Sequence, residues 1–179
     1  MKKLLNEELN RKTIEEYKAA AKFPVTVILN NVRSLNNIGS IFRTCDAFLA
    51  ERIILCGITA TPPHREIAKT ALGATESVDW NYIESTLEAV AKLKSEGYKV
   101  YAIEQAFNAT LLNELMLSQN EKYAVIFGHE VRGVDQEVID QCDGVIEIPQ
   151  YGTKHSLNVA VSAGIILWEI VKQLRIKEI

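Results

Sequence analysis

Three polar stretches carry residue types that could do chemistry. The first runs Asn30-Asn31-Val32-Arg33-Ser34-Leu35-Asn36-Asn37-Ile38-Gly39-Ser40-Ile41-Phe42-Arg43. Asn37 can cap a helix that starts at Ile38, with Arg43 projecting about two turns further on. A guanidinium there can hold a phosphate through paired hydrogen bonds. It can equally form an ordinary surface ion pair with Asp46 or Glu51, and both readings are open from the residues alone. The second stretch is Phe127-Gly128-His129-Glu130-Val131-Arg132-Gly133-Val134. Glu130 could bond a ribose hydroxyl or polarise a neighbour, or lie beside Arg132 as an exposed pair of little energetic value. Gly128 suits backbone that must face a ligand. In the third stretch, Tyr151, Gly152, Thr153, Lys154, His155, Ser156 and Asn158 place a phenol, a cation, an imidazole, a hydroxyl and an amide just ahead of an apolar helix. Ser156 is the expected N-cap of that helix.

These stretches need elements to hold them, and the apolar patterning supplies them. Val25–Leu29, Arg52–Leu55, Lys99–Ile103, Tyr123–Phe127 and Val145–Ile148 read as strands, the first and fourth covered on both faces. Ser77–Trp80 reads as a further short strand. Helices are expected over residues 3–22, 38–49, 66–72, 85–96, 110–117 and 135–141, then from Ser156 to the end. The last is apolar on nearly every side, from Val159 through Ile165 and Trp168 to Val171, which suits a core or a subunit interface. Strands alternating with helices, without hairpin turns, predict an α/β fold: a mostly parallel sheet flanked by helices. Ligands gather at the carboxyl ends of such strands, where all three polar stretches fall. The expected organisation is a helical extension over 1–23 and one domain over 24–179.

Composition excludes several classes. Cys45, Cys56 and Cys142 are odd in number and share no Cys-x-x-Cys spacing, which argues for a reducing cytoplasm and against a zinc site. His64, His129 and His155 are scattered, so no metal is expected. Glu7, Glu8, Glu15 and Glu16 interrupt the N-terminal region, unlike a signal peptide, and the longest apolar run falls short of the ~20 residues of a membrane span. A soluble, cytoplasmic protein is expected. Neither a Gly-x-Gly-x-x-Gly after the first strand nor a Walker-A motif is present, which disfavours a dinucleotide-dependent oxidoreductase. The net charge of −3 is unusual for a nucleic-acid partner, although a local patch suffices. Basic residues concentrate at the two ends: Lys2, Lys3, Arg11, Lys12, Lys18 and Lys22, then Lys172, Arg175 and Lys177.

Taken in order, Asn37-x-Gly39-x-x-x-Arg43, Phe127-Gly128-His129-Glu130-x-Arg132-Gly133 and Ile148-Pro149-x-x-Gly152-x-x-x-Ser156-Leu157-Asn158-Val159 closely resemble the SpoU (TrmH) branch of the SPOUT RNA methyltransferases. The likeness spans about Pro24 to Trp168. It implies methyl transfer from S-adenosyl-L-methionine to a ribose 2′-hydroxyl of tRNA or rRNA. It also implies a C-terminal deep trefoil knot and a homodimer built on the knot region and the last helix. By motif, Arg43, Asn37, Glu130, Ser156 and Asn158 would be catalytic. Ile103, Gly128, Ile148, Ser156 and Leu157 would hold the cofactor, with Glu104 completing the adenosine pocket. His155 beside Lys154 is a candidate RNA contact, and His129 has no assigned role. The alternative is an RNA-binding protein that keeps the fold without catalysis.

Overall fold

A computed structural model of the chain describes residues 1–5 and 8–174, so the candidate cations Arg175 and Lys177 lie outside the described residues. The apolar runs form strands. In chain order the elements are α1 (Ile14–Ala19), β1 (Phe23–Asn30), α2 (Leu35–Ala47), β2 (Ala50–Cys56), α3 (Arg65–Ala71), α4 (Ala74–Ser77), β3 (Trp80–Ile83), α5 (Thr86–Ser95), β4 (Tyr98–Ile103), β5 (Thr110–Leu111), β6 (Lys122–Phe127), α6 (Gln136–Ile139), β7 (Gly144–Glu147) and α7 (Val159–Leu174). Every strand pair is parallel, in the order β3-β2-β1-β6-β4-β7-β5. Alternate residues therefore face opposite layers. Val25, Val27 and Leu29 join the core under α2, α3 and α7. Ile28, Ile54, Val100 and Ile126 join a second core under α5 and α6. With both faces covered, the mostly parallel α/β sheet follows from the apolar runs. Because β6, β4 and β7 are adjacent and parallel, the loops leaving their carboxyl ends are neighbours too.

Several expected elements differ, each for a local reason. Of the helix expected over 3–22, residues 6–7 lie outside the described residues, and among the described ones it is the six residues of α1, which Thr13 and Glu16 open with reciprocal capping bonds and which ends at Ala20. Phe23-Pro24 starts β1 instead of closing a helix, and the β1–β2 register shifts between Phe23 and Thr26, around a residue that cannot donate. The strand expected at Ser77–Trp80 begins only at Trp80. Gly73, at φ 92°, starts the helical turn Ala74–Ser77 instead. The helix expected over 110–117 is β5 and a 3-10 turn, Leu112–Glu114, because Thr110 and Leu111 pair with Ile146 and Glu147 on the free edge of β7. In α7, Ala163, Ile166, Leu167, Ile170 and Val171 are buried, while Val161 and Trp168 stay 51% and 59% exposed. The Trp168 ring lies 6.0 Å from that of Phe48, just past α2.

Candidate active site

Each of the three polar stretches leaves the carboxyl end of a strand, β1, β6 or β7. In the first, Ser34 and not Asn37 is the N-cap: α2 starts at Leu35, and the Ser34 hydroxyl accepts the Asn37 N–H at 3.3 Å. Asn37 is thereby placed inside the first turn with its amide free for tertiary bonds. Gly39 admits another backbone rather than a ligand, since a Cβ there would sit 2.2 Å from the Ile67 carbonyl oxygen of α3. Arg43 is exposed on α2. It pairs with neither Asp46 nor Glu51, whose carboxylates accept the hydroxyls of Ser77 and Tyr98.

The second stretch folds back on itself. His129 and Gly133 exchange backbone bonds of 3.0 and 2.8 Å, and the buried His129 accepts the Val131 N–H on its Nδ1 at 3.0 Å. His129 is thus the organiser of the loop, a role that sequence reasoning missed. Its signal was local: a side-chain acceptor two residues ahead of the N–H it takes, as in an Asx turn. Gly128 is required on steric grounds, because a Cβ would lie 2.1 Å from the Gly133 carbonyl carbon. Gly133, at φ 69°, is in turn packed against Glu104, whose carboxylate accepts the N–H groups of Val134 and Gln105 at 3.1 and 2.9 Å.

Glu130 does not pair with Arg132. Its carboxylate accepts the N–H groups of Arg33 and Ser34 at 3.1 and 2.8 Å, and the Asn37 amide at 3.3 Å. Partial burial pushes its pKa up, but those backbone bonds outweigh burial and hold it below the 4.5 of an unperturbed glutamate. It is a clamp on the start of α2 and a weak proton acceptor.

At the third stretch the N-cap is Asn158, not Ser156. Asn158 Oδ1 accepts the Ala160 and Val161 N–H groups at 2.9 and 3.4 Å. Those bonds turn its NH2 outward, and it donates to Asn37 Oδ1 at 3.1 Å. Asn37 then has its own NH2 left for Glu130. One directed chain, Asn158 to Asn37 to Glu130, joins the three stretches. Arg43 stands outside it.

Beside this chain lies a cavity of about 530 Å³, within the ~300–1,000 Å³ of small-molecule and cofactor clefts. Ile103, Gly128, Ile148, Ser156 and Leu157 all line it, with Glu104, Gln105, Glu130, His155 and Asn158. Apolar walls from Ile103, Ile148, Leu157 and Val159, beside polar groups of the β6 and β7 loops, fit a ligand with a flat apolar ring and charged ends, as S-adenosylmethionine is. Among the described residues no three His, Cys, Asp or Glu side chains could share a metal ion, and no helix is long and apolar enough to cross a membrane.

Comparison with known proteins agrees with this geometry. Residues 24–168 match the sequence profile of the SpoU rRNA Methylase family. A tRNA (guanosine(18)-2′-O)-methyltransferase of Thermus thermophilus is 34% identical over 167 residues, covering 93% of this chain and 84% of that one. A Staphylococcus epidermidis protein assigned to the TrmH family of tRNA/rRNA methyltransferases is 28% identical over 89% of this chain, which spans only 63% of that relative's length. Among solved structures, the A. aeolicus TrmH/SpoU tRNA modifying enzyme superposes with a TM-score of 0.80 at 25% identity, covering 92% of this chain and 82% of that one. An AdoMet-bound rRNA methyltransferase from Sinorhizobium meliloti gives 0.78 at 25% identity, covering 90% and 60%.

Proposed function

The chain belongs to the SpoU rRNA Methylase family, and we propose that it transfers a methyl group from S-adenosylmethionine to a ribose 2′-hydroxyl of tRNA or rRNA. One observation carries this reading. Asn158, Asn37 and Glu130, 121 and 93 residues apart along the chain, are hydrogen-bonded in series at the edge of a cofactor-sized cavity. The named activity of the Thermus thermophilus relative supports the ribose hydroxyl as the target.

Ile103, Gly128, Ile148, Ser156 and Leu157 would hold the cofactor. When bound, that group supplies a methyl on a positively charged sulfur, an electrophile that needs no metal. The remaining steps belong to the protein and the RNA. A ribose hydroxyl is a poor nucleophile and must lose its proton as it attacks. Arg43 cannot take that proton, because a guanidinium stays protonated. It holds the RNA phosphate beside the target hydroxyl, and the hydroxyl proton is lost to water as the methyl is transferred. Glu130, engaged by three donors, keeps the start of α2 and Asn37 in place rather than acting as the base. Asn158 and Ser156 flank the ribose, and alignment contributes much of the rate.

The same reading includes a C-terminal deep trefoil knot and a homodimer with α7 at the interface, acting in the cytoplasm. Half-exposed Val161 and Trp168, on the face of α7 away from its buried residues, support the interface. Residues 1–23 would be an extension to the methyltransferase domain, in keeping with the profile's start at residue 24. The test is incubation with methyl-labelled S-adenosylmethionine and total RNA, followed by digestion to nucleosides. Label in 2′-O-methylated nucleosides is expected. Label confined to bases, or no label although the cofactor binds, would overturn the proposal in favour of a base methyltransferase or a non-catalytic RNA binder.

A further inference from the structure

Three of the most exposed large apolar side chains sit on loops that line the cavity. Phe107 and Tyr151 are fully exposed and Val131 is 83% exposed. Apart from Met1 and Met116, no other large apolar side chain among the described residues exceeds 65%. The three lie on three different loops, those following β4, β6 and β7. Each loop also lines the cavity: through Glu104 and Gln105 for the first, Val131 itself for the second, and Gln150 and His155 for the third. The parallel order β6-β4-β7 is what brings these loops together. Leaving isolated rings in water has no structural benefit, and no core needs them here.

Charge narrows the occupant. Arg132 and Lys154 are exposed on the same loops and, among the described residues, neither is paired with a carboxylate. The acids closest in sequence to Arg132, Glu130 and Asp135, are already engaged by backbone N–H groups and by the Asn30 and Asn31 amides, and Glu104 of the first loop accepts two backbone N–H groups. Aromatic faces interleaved with unpaired cations match unstacked nucleotides, whose bases stack on rings while their phosphates meet cations. A second copy of the chain fits less well, because it would trap the two cations in an interface that the half-exposed stripe on α7 can form without them.

We infer that Phe107, Val131 and Tyr151 form an apolar collar that receives the unstacked bases flanking the target nucleotide of a single-stranded RNA segment, with Arg132 and Lys154 on its phosphates. The collar rests on the reading above that RNA is the substrate, and it assigns to this face the choice of an unpaired over a paired target.

The test uses the full chain and a short, fluorescently labelled single-stranded oligoribonucleotide of mixed sequence, followed by anisotropy with and without S-adenosylhomocysteine. Tyr151→Ala and Phe107→Ala should each weaken binding about 5- to 100-fold, the effect of one lost base–ring stack. Tyr151→Phe should bind like the parent, and Lys154→Gln should lower the slope of log affinity against log salt by about 0.7. Titration with S-adenosylhomocysteine should be the same for all of them. The inference is overturned if the parent does not bind the oligonucleotide, if both alanine variants bind it normally, or if they turn a sedimenting dimer into a monomer. If the alanine variants weaken RNA binding in a protein that transfers no methyl group, the collar stands and the enzymatic reading falls.

Discussion

The loop after β1 and the loop after β7 border one site but are built in opposite ways. In the first, nearly every polar group has a protein partner. Asn30, 1% exposed, donates to Asp135 Oδ2 at 3.3 Å and accepts the Thr86 hydroxyl at 2.8 Å. Asn31, in the left-handed region at φ 58°, donates to the same Asp135 oxygen at 3.2 Å and accepts the Ile58 N–H at 3.1 Å. Thr59 accepts the Val32 N–H, and Glu130 those of Arg33 and Ser34. In the second loop, Tyr151 through Asn158 are all exposed, and among the described residues Asn158 alone of them makes side-chain bonds. One wall of the site is assembled before any ligand arrives, and the other presents groups whose partners are still to come. Substitutions in the first wall should therefore be felt in folding, and those in the second in binding and rate.

That contrast can be broken at several points. Arg43 is the extreme case, exposed and, among the described residues, without an ion pair. Arg43→Ala should lower methyl transfer by at least ~100-fold, as loss of a charge placed at the reacting centre does, with an unchanged melting temperature and unchanged S-adenosylhomocysteine affinity. A parallel loss of cofactor binding would place the guanidinium on the cofactor side. Asp135→Ala belongs to the built wall. It leaves buried Asn30 short of a partner and should cost about 1–3 kcal/mol in denaturant unfolding; an unchanged midpoint would mean the network is dispensable. Asn158→Ala straddles both, with a cap loss of ~1 kcal/mol and a larger fractional drop in activity, measured by melting and methyl transfer together.

Glu130 tests the built wall through pH. Its carboxyl titrates lower in the folded chain than the unperturbed 4.5, so its bonds stabilise the fold above that value and are lost only as pH falls through the lower, folded one. The melting-temperature gap between the parent and Glu130→Gln should be flat from neutrality to about pH 5 and close below pH 4.5. A gap that closes near neutrality would instead mark a base tuned for catalysis. The smallest effect belongs to the open wall: without RNA, Lys154→Gln should change stability by no more than about 0.5 kcal/mol.

The parts legible from local pattern were the strands: runs such as Val25–Leu29 and Tyr123–Phe127 read as covered strands and form them. The five residues that the family resemblance implies for the cofactor all line one cavity. What stayed hidden depends on distant partners. Ser156 and Asn158 are both good cap formers, and nothing local says that Asn158 takes the helix amides while also bonding Asn37. Thr110–Leu117 has helical composition, but the edge of β7 was there to pair with its start. The Asn31–Asp135 bond spans 104 residues, and no spacing rule reaches that far.

The proposed chemistry requires that the cavity beside the Asn158–Asn37–Glu130 chain be a methyl-donor pocket. Calorimetric titration with S-adenosylhomocysteine tests this most directly, because it needs no RNA. Saturable binding of about one molecule per subunit is predicted. Gly128→Ala should abolish it, since the added methyl must displace the Gly133 backbone 2.1 Å away. No binding at millimolar ligand, or equal binding by Gly128→Ala, would contradict the assignment.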